Sequence, residues 1–285
     1  MRIGAKLPNS GALPLERGIP ELARALEDAG FDSLWVSDHI VLPRVIESRY
    51  PFAADGRATW PTDTPYVDAL VALALAAAVT ERVALGTAVL VVQLRRPVVA
   101  AKQLASIDVA SGGRLRLGVG VGWLREEFEV LGVDFETRAS QFEEWIEVVR
   151  ACWTGTPPAF HGRHYSLPAD TLCLPAPARS VPVFVGGHSG PALRRAGRLG
   201  DGWLGQQALG GLDTAELEAA RRTAGRGRPD FQVVLRIVEA AGRFDELARR
   251  LPELGSAGVD EVIVDVDWAG AEPVAQLEQL RAAVA

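Results

Sequence analysis

Short apolar runs alternate with amphipathic stretches along almost the whole chain. The clearest unit spans residues 181–202, VPVFVGGHSGPALRRAGRLGDG. Val181, Val183, Phe184 and Val185 form an apolar run closed by Gly186-Gly187, the pattern of a strand buried on both faces. Ser189 suits a helix N-cap, and Pro191 falls near the first helical position, where its missing N–H costs nothing. Such a turn leaves backbone N–H groups free at a helix start, which favours an anion. The paired glycines let a ligand approach the backbone. A tight strand-to-helix turn without a ligand carries the same pattern.

The same alternation predicts strands at residues 3–7, 31–37, 83–92, 115–121, 181–185, from 202 onward, 232–238 and 260–266. Helices are predicted at 16–30, 65–80, 97–111, 138–153, 189–199, 214–224, 243–257 and 273–283, with a short hairpin at 161–167. About eight βα units in one unbroken series predict an α/β fold, a (β/α)8 TIM barrel forming a single domain over residues 1–285; a doubly wound sheet usually has fewer units. Residues 40–64 interrupt the series and carry Tyr50, Phe52 and Trp60 among prolines and glycines. A segment of that length with aromatics reads as a packed lid inserted after strand two. The helix at 65–80 is nearly apolar all round, so it must lie under other protein, and a second subunit of a homodimer is the simplest cover.

Composition narrows the function. The formal net charge of −6 argues against a nucleic-acid partner. Cys152 and Cys173 are the only cysteines, which predicts free thiols and a cytoplasmic setting. The N-terminus lacks a signal-like apolar region, and residues 69–79, the longest apolar stretch, are too short to span a bilayer, so no membrane role is expected. Lys6 and Lys102 are the only lysines.

In a barrel, chemistry gathers where strands end. Four features fall there: Asp38-His39, Thr87 to Leu90, Gly118 to Trp123, and Gly186 to Ser189. His39 is an imidazole able to hydrogen-bond a ligand or move a proton near neutral pH, and Asp38-His39 reads equally as a pair capping the loop. Neighbours on a strand face opposite ways, so the two need not form an ion pair. The glycines at 118, 120 and 122 miss the dinucleotide fingerprint and read as thinning a strand end so that something can lie against it. Gly187-His188-Ser189 resembles a nucleophile elbow, but no histidine follows Ser189 to complete a triad. His161, His164 and the cysteines match no common zinc spacing.

These pieces carry a resemblance. FDSLWVSDH, LGTAVL, GRLRLGVGVGW, the connector EEFEVLGVDF, VVRACWTG and VPVFVGGHSGPALRRAGRLGDGW follow in order and spacing over nearly the full length. Together they resemble the luciferase-like monooxygenase superfamily, in its coenzyme F420-dependent branch. The resemblance implies a cofactor lying along the strand C-termini, with Asp38 and His39 beside the deazaflavin ring and Gly186, Gly187, His188 and Ser189 as the phosphate-binding turn. It implies a bulge with a non-prolyl cis peptide at Ala88–Val89. The cofactor contacts expected are Asp38, His39, Thr87, Ala88, Val89, Gly120, Gly122, Trp123, Gly186, Gly187, His188 and Ser189, with His39 as the catalytic residue.

The activity implied is hydride transfer between F420 and a small organic substrate. An FMN-dependent monooxygenase using reduced flavin and oxygen is one alternative, and a non-catalytic cofactor-binding protein of the same fold is the other. Flavin-using members more often carry a Glu-His type pair at strand two, so Asp38 favours the deazaflavin. The sugar-phosphate dehydrogenases of the family place a Glu in the first βα loop and another just after strand four. Here the loop reads Pro8-Asn9-Ser10 and Trp123 follows Gly122, which argues against that activity and, with the lid aromatics, for a flat or apolar substrate.

Overall fold

The computed structural model describes residues 1–53, 55–58, 60–225 and 227–282. Parallel strands close a barrel: β1 Arg2–Lys6, β2 Ser33–Val36, β3 Ala84–Thr87 resuming as Leu90–Val91, β4 Leu115–Gly120, β5 Val183–Gly186, β6 Gly202–Ala208, β7 Gln232–Val238 and β8 Glu261–Val264. Pairing of β1 with both β2 and β8, and of β3 with β4, completes the ring. Around it run α1 Ile19–Ala29, α2 Ala69–Ala77, α3 Pro97–Ala110, α4 Arg138–Cys152, α5 Gly190–Leu199, α6 Thr214–Gly225, α7 Phe244–Ser256 and α8 Pro273–Arg281. The (β/α)8 TIM-barrel expectation holds, as does the hairpin, where Phe160–His161 pairs antiparallel with Ser166–Leu167. Residue 283, the expected end of the last helix, lies outside the described residues.

The barrel interior is filled from below. Trp35, Phe184, Leu204, Val234 and Ile263 pack together at its centre. Beneath them the buried Glu261 carboxylate accepts from Ser33 Oγ at 2.5 Å and Trp35 Nε1 at 2.9 Å and is paired with Arg116. That ion pair and the aromatics seal the N-terminal end, so a site within the barrel opens at the strand C-termini.

Three expectations change. The first helix is split: a short turn, Leu13–Glu16, precedes Gly18, whose φ of 79° starts α1 at Ile19. The helix expected at 65–80 starts at Ala69, because Asp68 caps it by accepting from the Leu70 and Val71 N–H groups. Residues 66 and 67 are tied instead to the first βα loop through Ser10 and Asn9. Within the chain α2 is covered on one side only. Leu70, Leu73 and Ala76 face the barrel, while Val71 is 51% and Leu75 40% exposed. Strand three is broken. Leu85 and Gly86 pair with Leu115 and Arg116, but Leu90 and Val91 pair with Val119 and Gly120, so β3 carries one extra residue at its bulge.

Candidate active site

A cavity of about 1420 Å³ occupies the C-terminal mouth. One wall has almost no side chains. Gly120 on β4 and Gly186 on β5 face the bulge of β3, whose Ala88–Val89 peptide bond is cis as the resemblance implies, and Gly118 lies outside the cavity lining against Thr87. A Cβ on Gly118 would lie 1.9 Å from the Thr87 carbonyl oxygen, and one on Gly120 would lie 2.6 Å from Val89 Cγ2. Val89 therefore leans across bare backbone, and any larger residue there would push the bulge out of place.

His39 stands above this wall and is nearly buried, its side chain 9% exposed. Its Nδ1 lies 3.0 Å from Glu127 Oε2, while Glu127 Oε1 accepts from the Ile40 and Val41 N–H groups at 2.6 and 3.1 Å. A carboxylate accepts, so Nδ1 carries the hydrogen and Nε2 is the nitrogen presented to the cavity. Tyr66, Trp123 and Trp60 surround the imidazole at centroid distances of 5.3, 6.2 and 6.1 Å.

Asp38 turns the other way, as alternation requires. Its two oxygens accept from Arg95 Nη1 and Nη2, each at 2.8 Å, and Oδ2 also accepts from the Val91 N–H at 2.9 Å. Arg95 reaches on to Asp68 at 2.7 Å. Burial pushes the Asp38 carboxyl up, and Arg95 and the Val91 N–H pull it back. The carboxylate borders the cavity, but its hydrogen bonds tie β2 to the far side of the bulge and to the α2 cap.

The turn after β5 takes the expected form. Ser189 caps α5, accepting from the Ala192 N–H at 3.3 Å, and Gly187 has a φ of 115°. The His188 ring is engaged within the protein. Its Nε2 accepts from the Gln206 N–H at 2.9 Å and its Nδ1 lies 3.4 Å from Glu216, so both nitrogens brace the turn. What the turn offers a ligand is backbone N–H.

The lid crosses this opening. Tyr50 packs on Trp60 and Trp123 with centroids 5.1 Å away in each case, and Phe52 reaches His188 at 5.9 Å. Glu126 anchors the lid by accepting from the Glu47 and Ser48 N–H groups and the Ser48 hydroxyl. Opposite the glycines, β1 and β7 contribute Lys6 and Arg236, and Asp265 follows the end of β8. Lys6 Nζ donates to the Leu7 carbonyl at 3.0 Å and to Asn9 Oδ1 at 2.7 Å. Arg236 reaches Ser37 Oγ at 3.3 Å and Asp265 at 3.5 Å. Among the described residues, the buried side-chain nitrogens without a hydrogen-bond partner include Trp60 Nε1, Arg138 Nε, Arg236 Nε and Trp268 Nε1, all from side chains that border this cavity.

The cavity thus gathers Asp38, His39, Ala88, Val89, Gly120, Gly122, Trp123, Gly186, Gly187, His188 and Ser189. Thr87 is the exception. It is fully buried, and its hydroxyl donates to the Gly118 carbonyl at 2.6 Å, tying β3 to β4 away from the cavity. Sequence reasoning missed Glu127, Arg95, Lys6 and Arg236. Glu127 lay within the quoted connector. The pairing of His161, His164 and the cysteines in a metal site is not seen: among the described residues no cluster could hold a metal ion, and both cysteines are buried free thiols. Among the described residues, too, no helix is long and apolar enough to cross a membrane.

Known proteins agree with this architecture. Residues 5–282 match the family model described as luciferase-like monooxygenase. An uncharacterized protein of Mycobacterium tuberculosis is 36% identical over 250 residues, 85% of this chain and 83% of the relative. An F420-dependent glucose-6-phosphate dehydrogenase of Amycolatopsis mediterranei is 34% identical over 192 residues, 66% of this chain and 53% of that enzyme. Among solved structures, an F420-dependent secondary alcohol dehydrogenase in complex with an F420-acetone adduct superposes with a TM-score of 0.76 over 100% of this chain and 99% of its own, at 18% identity, a likeness of fold. The chain belongs to the luciferase-like monooxygenase family and is an oxidoreductase of that kind.

Proposed function

We propose that the chain binds F420 in the barrel mouth and moves a hydride between the deazaflavin and a small, flat organic substrate. The observation carrying this reading is the bare wall of Gly120 and Gly186 held against Val89 beneath the His39–Glu127 pair. With no Cβ at Gly120 or Gly186, Val89 packs against the strand backbone and no side chain projects from those two positions into the mouth, which leaves room for a planar ring. The free N–H groups at the start of α5 suit a phosphodiester.

When bound, F420 supplies the hydride-accepting or hydride-donating carbon of its ring. His39 Nε2 takes or gives the substrate proton, and Glu127 fixes the tautomer and steadies the positive ring. Tyr50, Trp60 and Trp123 exclude water above it. Sugar-phosphate oxidation, the activity named for the Amycolatopsis relative, is not part of this reading. Asn9 stands in the first βα loop, and its amide is engaged by Lys6, Ser37 and Val67. A second copy of the chain covers the open apolar face made by Val71 and Leu75 of α2 with Val98 and Val99 of α3, giving a homodimer.

The test is a side-by-side titration with F420 and FMN, followed by fluorescence. Binding of F420 with turnover on a panel of ketones and enones supports the reading. Preference for FMN, with oxygen consumed in the presence of reduced flavin, replaces it with a monooxygenase. Tight F420 binding with no turnover across the panel replaces it with a binding protein.

A further inference from the structure

The barrel mouth is lopsided in charge as well as in bulk. The glycine wall on β4 and β5 is neutral. The facing wall carries Lys6 and Arg236 against one nearby carboxylate, Asp265, whose contact with Arg236 is long at 3.5 Å. Lys6 is 7% exposed and the Arg236 side chain 17%, so neither is dissolved in bulk water. Below them lies the dry aromatic and aliphatic plug of Trp35, Phe184, Val234 and Ile263. A buried excess of positive charge is costly unless an anion meets it.

The donors are held in place rather than adrift. Asn9 donates through Nδ2 to the Ser37 and Val67 carbonyls, which fixes its amide and turns Oδ1 toward Lys6. Lys6 borders the cavity, and its Nζ, held by Leu7 and Asn9, keeps one further N–H to donate. Arg236 is positioned by Ser37 and Asp265 through its terminal nitrogens, which leaves Nε as a buried donor without a partner. Trp268 Nε1, beside Asp265 in sequence, is a second such donor on the same side.

We propose that Lys6 and Arg236 form the anion subsite for the substrate: the substrate carries a carboxylate, seated on these two residues while its flat body lies toward the glycine wall. This deepens the oxidoreductase reading and rests on it for the word substrate; the anion site itself stands on the chain's own residues. The selectivity follows from the donors. A neutral amide of the same shape leaves the positive charge unanswered and brings N–H groups toward N–H groups. Charge-assisted bonds from a lysine and an arginine to a carboxylate are the strong ones. Burial, then Arg236, brings the Lys6 pKa down to about 7, with Asp265 opposing them, so the subsite weakens as pH rises above neutrality. The charged groups facing Lys6 are Arg236 of β7 and Asp265 just past β8, and Tyr66 before α2 is a phenol near Arg236.

The experiment uses the full chain with and without saturating F420. The probes are 2-naphthoate and its neutral isostere 2-naphthamide, read by tryptophan fluorescence and calorimetry. The parent is expected to bind naphthoate well above naphthamide. Lys6→Met and Arg236→Met are each expected to weaken naphthoate by roughly ten- to a hundred-fold, leaving naphthamide unchanged. In the parent, naphthoate affinity is expected to fall by up to about tenfold per pH unit above pH ~7, and in Lys6→Met that slope is absent. The pH profile of the parent needs no variant, so a poorly folded substitution does not shield the proposal. Equal affinity for the two probes, or a flat parent profile, overturns it. Naphthoate displaced competitively by F420 also overturns it, since the donors then serve the cofactor. Naphthoate binding as described with no F420 binding leaves the subsite standing and removes the cofactor reading instead.

Discussion

Lys6 gives a test of the structure that needs neither cofactor nor substrate. Its ammonium lies in the barrel mouth with Arg236 nearby, and burial first, then that arginine, holds its pKa down to about 7 against Asp265. In the unfolded chain a lysine titrates near ~10.4. Below pH ~7 both states hold the proton, and Lys6 gives stability no pH dependence. Between ~7 and ~10.4 the folded state has released it while the unfolded state keeps it, so unfolding takes up a proton and stability rises with pH. Integrated from pH ~7 to ~9, the gain is about 2 kcal/mol. Lys6→Met removes this dependence and leaves Asn9 satisfied, since Asn9 Oδ1 still accepts from the Ser37 N–H at 3.0 Å. Urea unfolding of parent and variant at several pH values over that range measures the gap between them. The parent is expected to gain on the variant by about 2 kcal/mol as pH rises. A gap that stays constant from pH ~7 to ~9 means that Lys6 keeps its ordinary pKa, and the argument from burial is then wrong.

Three further outcomes follow from the site. Glu127→Gln keeps an oxygen for the Ile40 and Val41 N–H groups but turns an amide N–H toward His39, reversing its tautomer; turnover should fall by roughly a hundred- to ten-thousand-fold with F420 affinity unchanged, and rate and affinity falling together would contradict this. Gly120→Val places its Cβ 2.6 Å from Val89 Cγ2, so F420 affinity should drop at least about tenfold while far-UV circular dichroism stays that of the parent, and unchanged binding would remove the cradle argument. Val71→Glu with Leu75→Glu puts charge on the open face of α2, so sedimentation should show dimer for the parent and monomer for the double variant; a monomeric parent at micromolar concentration rules out that interface.

The fold was legible because period and punctuation agreed. Most barrel strands are short apolar runs ended by a glycine or a polar residue, and the helices keep an apolar side for the barrel. What misled was apolarity without direction. The helix expected at 65–80 lacks a polar face in the sequence, and only the fold shows which apolar side meets the barrel and which remains open. The interruption of β3 was equally unreadable from periodicity. LGTAVLVV is strand-like throughout, and the slip of one residue comes from the bare glycines of β4 that admit the bulge.

The site was half legible for a related reason. Residues at strand ends announce themselves, so His39, Trp123 and the turn at 186–189 were found. Their partners come from elsewhere in the chain: Glu127 is 88 residues from His39, and Arg95 is 57 from Asp38. Local spacing carries no information about contacts that barrel closure creates. Yet one signal was present in the pattern itself. Lys6 in RIGAK, Arg116 in LRLGVG and Arg236 in QVVLRIV each stand between two apolar residues of their strand run. A strand buried on both faces excludes a charge unless something answers it. For Arg116 the answer is Glu261, in the lower layer of the barrel, and the pair is structural. Lys6 and Arg236 lie at the mouth, where one carboxylate, Asp265, at 3.5 Å from Arg236, faces two cations. The same sequence signature therefore has two meanings, and the height of the residue within the barrel decides between them: a charge that the protein neutralises itself belongs to the core, and a charge it leaves for a ligand belongs to the site.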